Sequence, residues 1–195
     1  MTAITAVANQ TAKETLLAQL IEYALKIGEV KLSNGRTSSY YVDVKQAIMR
    51  PVTFLAAGQL VAEQAHKVGA KAVGGLTIGA DPVACAAIAV PEGSSLVAFL
   101  VRKEQKKHGL QRWIEGPEME RGTPCLVVDD VVTTGASTIE AIERMRHDGL
   151  AIVGALAVVD RLAGGGEAIA EAARAPFRAL VTIDELYPDR PDRDS

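Results

Sequence analysis

Residues 125–138 read CLVVDDVVTTGAST, and the rest of the chain is best read outward from this run. Cys125, Leu126, Val127 and Val128 are too few for a helix and predict a buried strand. That strand is expected to stop at the acidic pair Asp129 and Asp130, placing two carboxylates at its C-terminal end. Val131, Val132, Thr133, Thr134, Gly135, Ala136, Ser137 and Thr138 follow, and then the amphipathic run IEAIERMRHDG. The order is strand, tight turn, helix.

The first turn of a helix leaves backbone N–H groups unpaired and carries partial positive charge, so a phosphate monoester docks there, with hydroxyl side chains as extra donors. Two carboxylates just upstream suit a polyol bearing that phosphate, because Asp accepts from vicinal hydroxyls and favours positive charge developing nearby. A ribose 5-phosphate satisfies both halves. Each fragment alone has a plainer reading: Thr-Thr-Gly-Ala-Ser as a helix cap, the Asp pair as a magnesium site. No Lys follows the second Gly of a Walker pattern, and no G-x-G-x-x-G is present, which removes the main support for nucleoside triphosphatase and dinucleotide readings.

A chain of 195 residues, 48% hydrophobic and 23% charged, can bury a full core and fits one domain, with or without a small subdomain. A net charge of −3 argues against general nucleic-acid binding, and an aromatic content of 4% argues against base-stacking RNA recognition. Cys85 and Cys125 lie in apolar segments and fit reduced core thiols, neither a zinc site nor a disulfide framework. The N-terminus lacks a basic n-region and no apolar run reaches membrane-spanning length, so a cytoplasmic protein is expected, with no membrane partner.

From Thr11 the apolar spacing predicts a helix through Leu25 that ends at Gly28. Residues 29–45, EVKLSNGRTSSYYVDVK, predict a hairpin with strands at 30–32 and 39–44 and a turn at Asn34-Gly35. Residues 51–69 form an amphipathic helix with Pro51 near its start, followed by a strand over 71–76. Thr77, Gly79 and Asp81 then lead into another helix. That loop reads equally as a backbone pyrophosphate site and as an ordinary N-cap by Asp81.

Residues 95–101, SLVAFLV, predict a buried strand that runs into RKEQKKHGLQRWIEG. Arg102, Lys103, Lys106, Lys107, His108 and Arg112 make this segment basic in an otherwise acidic protein, and Gly109 and Gly116 keep its backbone adaptable. Since it leaves one predicted core strand and returns before another, it can overhang the sheet edge that carries Asp129 and Asp130, as a lid excluding water. A further strand over 151–159 ends at Asp160-Arg161, residues 177–186 supply a last strand, and YPDRPDRDS reads as a frayed tail.

LVVDDVVTTGAST resembles the phosphoribosyl pyrophosphate (PRPP) signature of type I phosphoribosyltransferases. RKEQKKHG and SSYYVDVK resemble the catalytic loop and hood of the orotate phosphoribosyltransferases in particular. The resemblance implies an α/β fold with a central, mainly parallel sheet flanked by helices and a small hood subdomain. It divides residues 1–190 into a hood (about 13–45 plus 160–186) and a core (about 50–160), with 187–195 as a flexible tail. It implies transfer of ribosyl 5-phosphate from PRPP to orotate, with Mg2+ carried by PRPP and no direct protein ligand. Residues 131–138 would bind PRPP with Arg102, Lys103, Lys106, His108, Asp129 and Asp130, and Tyr41, Lys45, Thr133 and Arg161 would contact orotate.

Within this set Lys103, His108, Asp129 and Asp130 are the expected catalytic groups. His108 either protonates the departing pyrophosphate or neutralises it, and a homodimer is implied in which loop 102–116 contributes across the interface. Trp113 is expected to anchor the loop. Two departures stand out: Ser33 occupies a position where some members carry a phosphate-binding Lys, and Ile78-Gly79 replaces a Tyr-Lys pair. A phosphoribosyltransferase for another base would differ at the hood and at Arg161. A PRPP-sensing regulator would dispense with the basic lid and add a nucleic-acid surface that this sequence lacks.

Overall fold

A computed structural model describes residues 11–31, 35, 37–105 and 112–193. Helix α1 (Ala12–Tyr23) opens with a reciprocal cap in which the Thr11 hydroxyl accepts from the Glu14 amide and the Glu14 carboxylate accepts from the Thr11 amide. It ends five residues earlier than the sequence pattern suggests, and strand β1 (Leu25–Lys31) starts almost at once. The reason is cross-strand pairing: β1 lies antiparallel to β2 (Thr37–Val42), with Leu25 opposite Val42 and Ile27 opposite Tyr40. Gly28, expected to end the helix, sits in a bulge of this hairpin. Ser33 and Asn34 lie outside the described residues.

The chain continues through α2 (Lys45–Ile48), α3 (Pro51–Lys67), β3 (Ala72–Leu76), α4 (Ala80–Ile88), β4 (Val97–Val101) and β5 (Ile114–Glu115). It closes with β6 (Pro124–Val132), α5 (Ala136–His147), β7 (Ala151–Asp160), α6 (Gly165–Ala173), β8 (Phe177–Thr182) and α7 (Ile183–Leu186). A six-stranded sheet of order β5-β4-β3-β6-β7-β8 forms, parallel except at the short edge strand β5, and the β1-β2 hairpin stands apart from it. The expected mainly parallel α/β architecture is what the chain adopts.

Alternation along β6 builds the two cores. Leu126 and Val128 join the cluster formed with α1, α3 and α4, whereas Cys125 and Val127 join the cluster formed with α5 and α6. Leu126 is fully buried, which contributes about 1.5–3 kcal/mol. β6 also runs on past Asp129 and Asp130 to Val132, because β7 continues the ladder beside it, pairing Asp129 with Ala157 and Val132 with Asp160. The acidic pair is therefore inside the strand rather than beyond it, and its two side chains point to opposite faces.

Three further readings are corrected. Cys125 is buried, its thiol pushed up to about 12 by burial, but Cys85 is exposed on α4. Asp81 does not cap α4: Gly79 occupies the cap position, no side chain bonds there, and the buried Asp81 Oδ1 has no partner among the described residues. The tail is tied down as far as Arg193. Tyr187 packs edge-on against Tyr40 at 5.5 Å, and Arg190, its side chain only 9% exposed, pairs with Asp184 and with Asp192.

Candidate active site

The sheet order places a reversal between β3 and β6. From β3 the chain passes through α4 to β4 on one side, and from β6 it passes through α5 to β7 on the other. Since α4 and α5 cover opposite faces, a crevice opens at the carboxyl ends of β3 and β6, where ligands of such sheets bind. The loop from Thr77 to α4 and the segment from Asp129 to α5 form its two walls.

Asp129, 4% exposed, is saturated: Oδ2 accepts from Ser137 Oγ at 2.7 Å and Thr138 Oγ1 at 2.8 Å, and Oδ1 from the Asp130 amide at 3.0 Å. Burial raises its pKa, the two hydroxyls pull it back, and the neighbouring Asp130 charge raises it again, leaving it above the ordinary carboxylate value. Its side chain clamps β6 to the first turn of α5.

Asp130 faces the other way. Its Oδ1 accepts from the Val131 amide at 2.9 Å and its Oδ2 from Lys45 Nζ at 3.1 Å. Lys45 also pairs with Asp43 at 3.0 Å; burial opposes its charge, but the two carboxylates outweigh that and hold its pKa well above the usual lysine value. A Cβ on Gly79 would stand 2.4 Å from Asp130 Oδ1, so a larger residue there would push against this carboxylate. Lys45, Asp130 and Gly79, drawn from three segments far apart in sequence, meet here.

Gly135 begins α5 at φ +81°, and a Cβ there would come within 2.8 Å of Ile169 Cγ1 and 2.9 Å of the Gly165 carbonyl oxygen. No side chain caps this helix end. Thr133, Thr134, Ala136 and Ser137 are exposed around it, Val131 is half-buried, and Val132 and Thr138 are buried. The hydroxyls of Ser137 and Thr138, expected to face phosphate, are donated to Asp129 instead, leaving the backbone amides of the turn and the two threonines at the mouth of the crevice.

The basic segment leaves β4 and returns at β5 with its stems joined, the Arg102 amide donating to the Trp113 carbonyl at 2.9 Å and Arg102 Nη1 meeting Glu115 at 2.9 Å. Arg144 of α5 stacks over the Trp113 ring at 4.3 Å and donates to the Arg102 carbonyl, while Asp148 accepts from the Trp113 and Ile114 amides. Lys103 is exposed at the stem. Lys106, Lys107 and His108 lie outside the described residues. Arg144 and Asp148 are partners that sequence reasoning missed.

Just past the end of β7, the Arg161 amide donates to the Val132 carbonyl at 2.9 Å, and its Nη2 donates to the Tyr40 hydroxyl at 2.8 Å. Tyr41, expected to contact the base, is on the other face of β2 from Tyr40 and half-buried, while Tyr40 joins Arg161. Strict alternation with the buried Val42 was the available signal.

The Phosphoribosyl transferase domain family matches residues 79–176. The orotate phosphoribosyltransferase of Corynebacterium glutamicum is 44% identical over 178 residues, covering 91% of this chain and 95% of that protein. This chain belongs to the orotate phosphoribosyltransferase family. Other orotate phosphoribosyltransferases agree: that of Streptomyces avermitilis is 42% identical over 88% of this chain and 94% of its own length. A crystal structure of the Mycobacterium tuberculosis orotate phosphoribosyltransferase superposes with a TM-score of 0.82 at 39% identity, covering 90% of this chain and 99% of that one. A complex of the mycobacterial enzyme with PRPP gives a TM-score of 0.77 at 35% identity, covering 90% and 98%. Membership of the orotate phosphoribosyltransferases accounts for the uncapped α5 terminus and the basic segment after β4 occurring in one chain.

Proposed function

We propose that this protein transfers the ribosyl 5-phosphate group of PRPP to N1 of orotate, giving orotidine 5'-monophosphate and pyrophosphate on the route to UMP. The observation that carries this reading is the meeting of Lys45, Asp130 and Gly79 beside the uncapped N-terminus of α5, in a chain whose relatives are orotate phosphoribosyltransferases. One pole of that crevice is anionic and the other is supplied by backbone amides, which suits a sugar phosphate lying across it.

In the transfer, the bond from the anomeric carbon to the pyrophosphate oxygen breaks, a bond from that carbon to N1 forms, and the N1 proton passes to the departing pyrophosphate or to water. Positive charge builds on the ribose ring while negative charge builds on pyrophosphate. Asp130 is the carboxylate free to take ribose hydroxyls once Lys45 shifts to the substrate; Asp129 holds the phosphate turn in place from behind. The amides from Thr133 to Thr138 bind the 5-phosphate. Arg102, Lys103, Lys106 and His108 close over the pyrophosphate, His108 as acid or as counter-charge. Arg161 grips the orotate carboxylate, for which a planar two-pronged donor is suited, with Tyr41, Lys45 and Thr133 at the base.

Three hydrogen bonds occupy Asp129, and Asp130 already has two donors, so the donor set favours magnesium arriving on PRPP. Bound there, it would offset the charge of the leaving group. The hood would comprise the β1-β2 hairpin with α1, over about 13–45, together with the segment 160–186, whose strand β8 also closes the six-stranded sheet; the core spans about 50–160 of one domain over 1–190. The working unit is a homodimer in which loop 102–116 reaches the neighbouring site. Met49 (74% exposed), Val52 and Leu55 recur every three residues and offer an apolar face for it. No helix among the described residues is long and apolar enough to cross a membrane.

The test is orotate depletion, followed by ultraviolet absorbance, with PRPP and magnesium, and with hypoxanthine, adenine and uracil as alternative acceptors. Orotate loss that requires both PRPP and magnesium is expected. Consumption of another base in its place would sink the acceptor assignment, and PRPP binding without turnover would sink the enzyme.

A further inference from the structure

The C-terminal segment reaches back to the wall of the crevice. The Tyr40 hydroxyl, in a side chain only 1% exposed, accepts from Arg161 Nη2 at 2.8 Å and donates to Asp192 Oδ2 at 2.9 Å. A phenol has one O–H to donate, so this arrangement is directional: the O–H donates to the carboxylate and the oxygen lone pairs are left for the guanidinium. The Arg161 guanidinium also stands 4.8 Å from the Tyr40 ring centroid, a cation on an aromatic face. Nε and Nη1 of Arg161 have no acceptor among the described residues.

Asp192 is held in turn. Arg190 Nε meets Asp192 Oδ1 at 3.1 Å, and its Nη1 reaches Asp184 of α7, so one buried guanidinium staples the tail to the body. Tyr187 closes the lid on Tyr40 from the side, ring edge to ring face at 82°. Two residues of the tail thus touch the tyrosine that touches Arg161.

We infer that Tyr40 and the tail carboxylate Asp192 are positioning residues for base recognition, fixing one prong of Arg161 so that its remaining N–H groups present to the carboxylate of the acceptor. The inference rests on the reading of Arg161 as the orotate clamp. The backbone of Arg161 is already tied to Val132, and the Asp192–Tyr40 relay removes the remaining freedom of a long side chain. Fixing such a side chain beforehand lowers the entropy lost on binding. Residues 187–193 are then part of the specificity pocket rather than a dispensable end.

The experiment measures KM for orotate and for PRPP, and the preference for orotate over its neutral carboxamide, in Tyr40→Phe, Asp192→Asn, Asp192→Glu and Arg161→Ala. Tyr40→Phe and Asp192→Asn should raise the orotate KM roughly tenfold, the scale of one charge-assisted hydrogen bond, while the PRPP KM stays within about twofold. Both should also shrink the preference for the carboxylate. Asp192→Glu should recover part of the loss, and Tyr40→Phe in an Arg161→Ala background should add nothing. Asp192 lies on the surface, so its variants report even if loss of the Tyr40 hydroxyl harms folding. If Arg161→Ala abolishes orotate selectivity and Asp192→Asn leaves the orotate KM and the carboxylate preference intact, the relay is wrong. If Arg161→Ala leaves selectivity unchanged, the clamp itself is wrong, and the relay with it.

Discussion

Replacing Gly135 by Ala tests how the turn before α5 is built. The backbone at Gly135 has φ +81°, a region that costs an L-residue about 1–2 kcal/mol. The new methyl would also sit 2.8 Å from Ile169 Cγ1 and 2.9 Å from the Gly165 carbonyl oxygen. Ile169 can turn aside within limits, but the Gly165 carbonyl belongs to the start of α6, so overpacking adds about 1–3 kcal/mol. Together these destabilise by about 2–5 kcal/mol, which for a chain of this size lowers Tm by roughly 4–20 °C. Gly122 is the matched control: its φ is +82°, yet a Cβ there would have nothing within 4 Å, so Gly122→Ala bears the backbone term alone. Thermal unfolding of the two variants separates conformation from packing. Because the helix start must move to admit the methyl, Gly135→Ala should also raise the PRPP KM more than the orotate KM. A Tm for Gly135→Ala equal to that of Gly122→Ala would refute the packing argument.

The other predictions address the lid, a buried carboxylate and the thiols. Lys103 is exposed and has no partner among the described residues, so Lys103→Ala should lower kcat by roughly 10²–10³-fold, as expected for losing a transition-state contact, with Tm unchanged; a large Tm loss would mark it as structural. Asp129 has a folded-state pKa raised by burial, so its protonated form contributes stability that is fully present below the ordinary carboxylate range and lost as pH rises through the folded value. The Tm of the native protein minus that of Asp129→Asn should therefore shrink as pH rises across that window; a constant difference would contradict the assignment. A thiol reagent should titrate Cys85 in the folded protein and Cys125 only after denaturation, because Cys125 is buried and its thiol is pushed up to about 12. Two thiols reacting at equal rates in the folded state would overturn that account.

Legible along the chain were the parallel α/β plan, the acidic pair followed by a glycine turn and a helix, the basic run after a core strand, and an arginine ending another strand. Each is a local pattern, set by apolar periodicity and by the few residue types that suit a turn or a phosphate. What the sequence could not settle were questions answered by partners far along the chain. Whether Leu25 continues a helix or begins a strand depended on Val42, and how far β6 runs depended on β7. Asp129 and Asp130 read as an equivalent pair, yet strand alternation sent one to the Ser137 and Thr138 hydroxyls of α5 and the other to Lys45 and Gly79. Tyr40 rather than Tyr41 meets Arg161, and the charged tail is held by Arg190 instead of fraying. Local propensity acts over a turn or a strand, whereas these choices were made by side chains brought together across 85, 121 and 152 positions of sequence, a separation that only the folded chain closes.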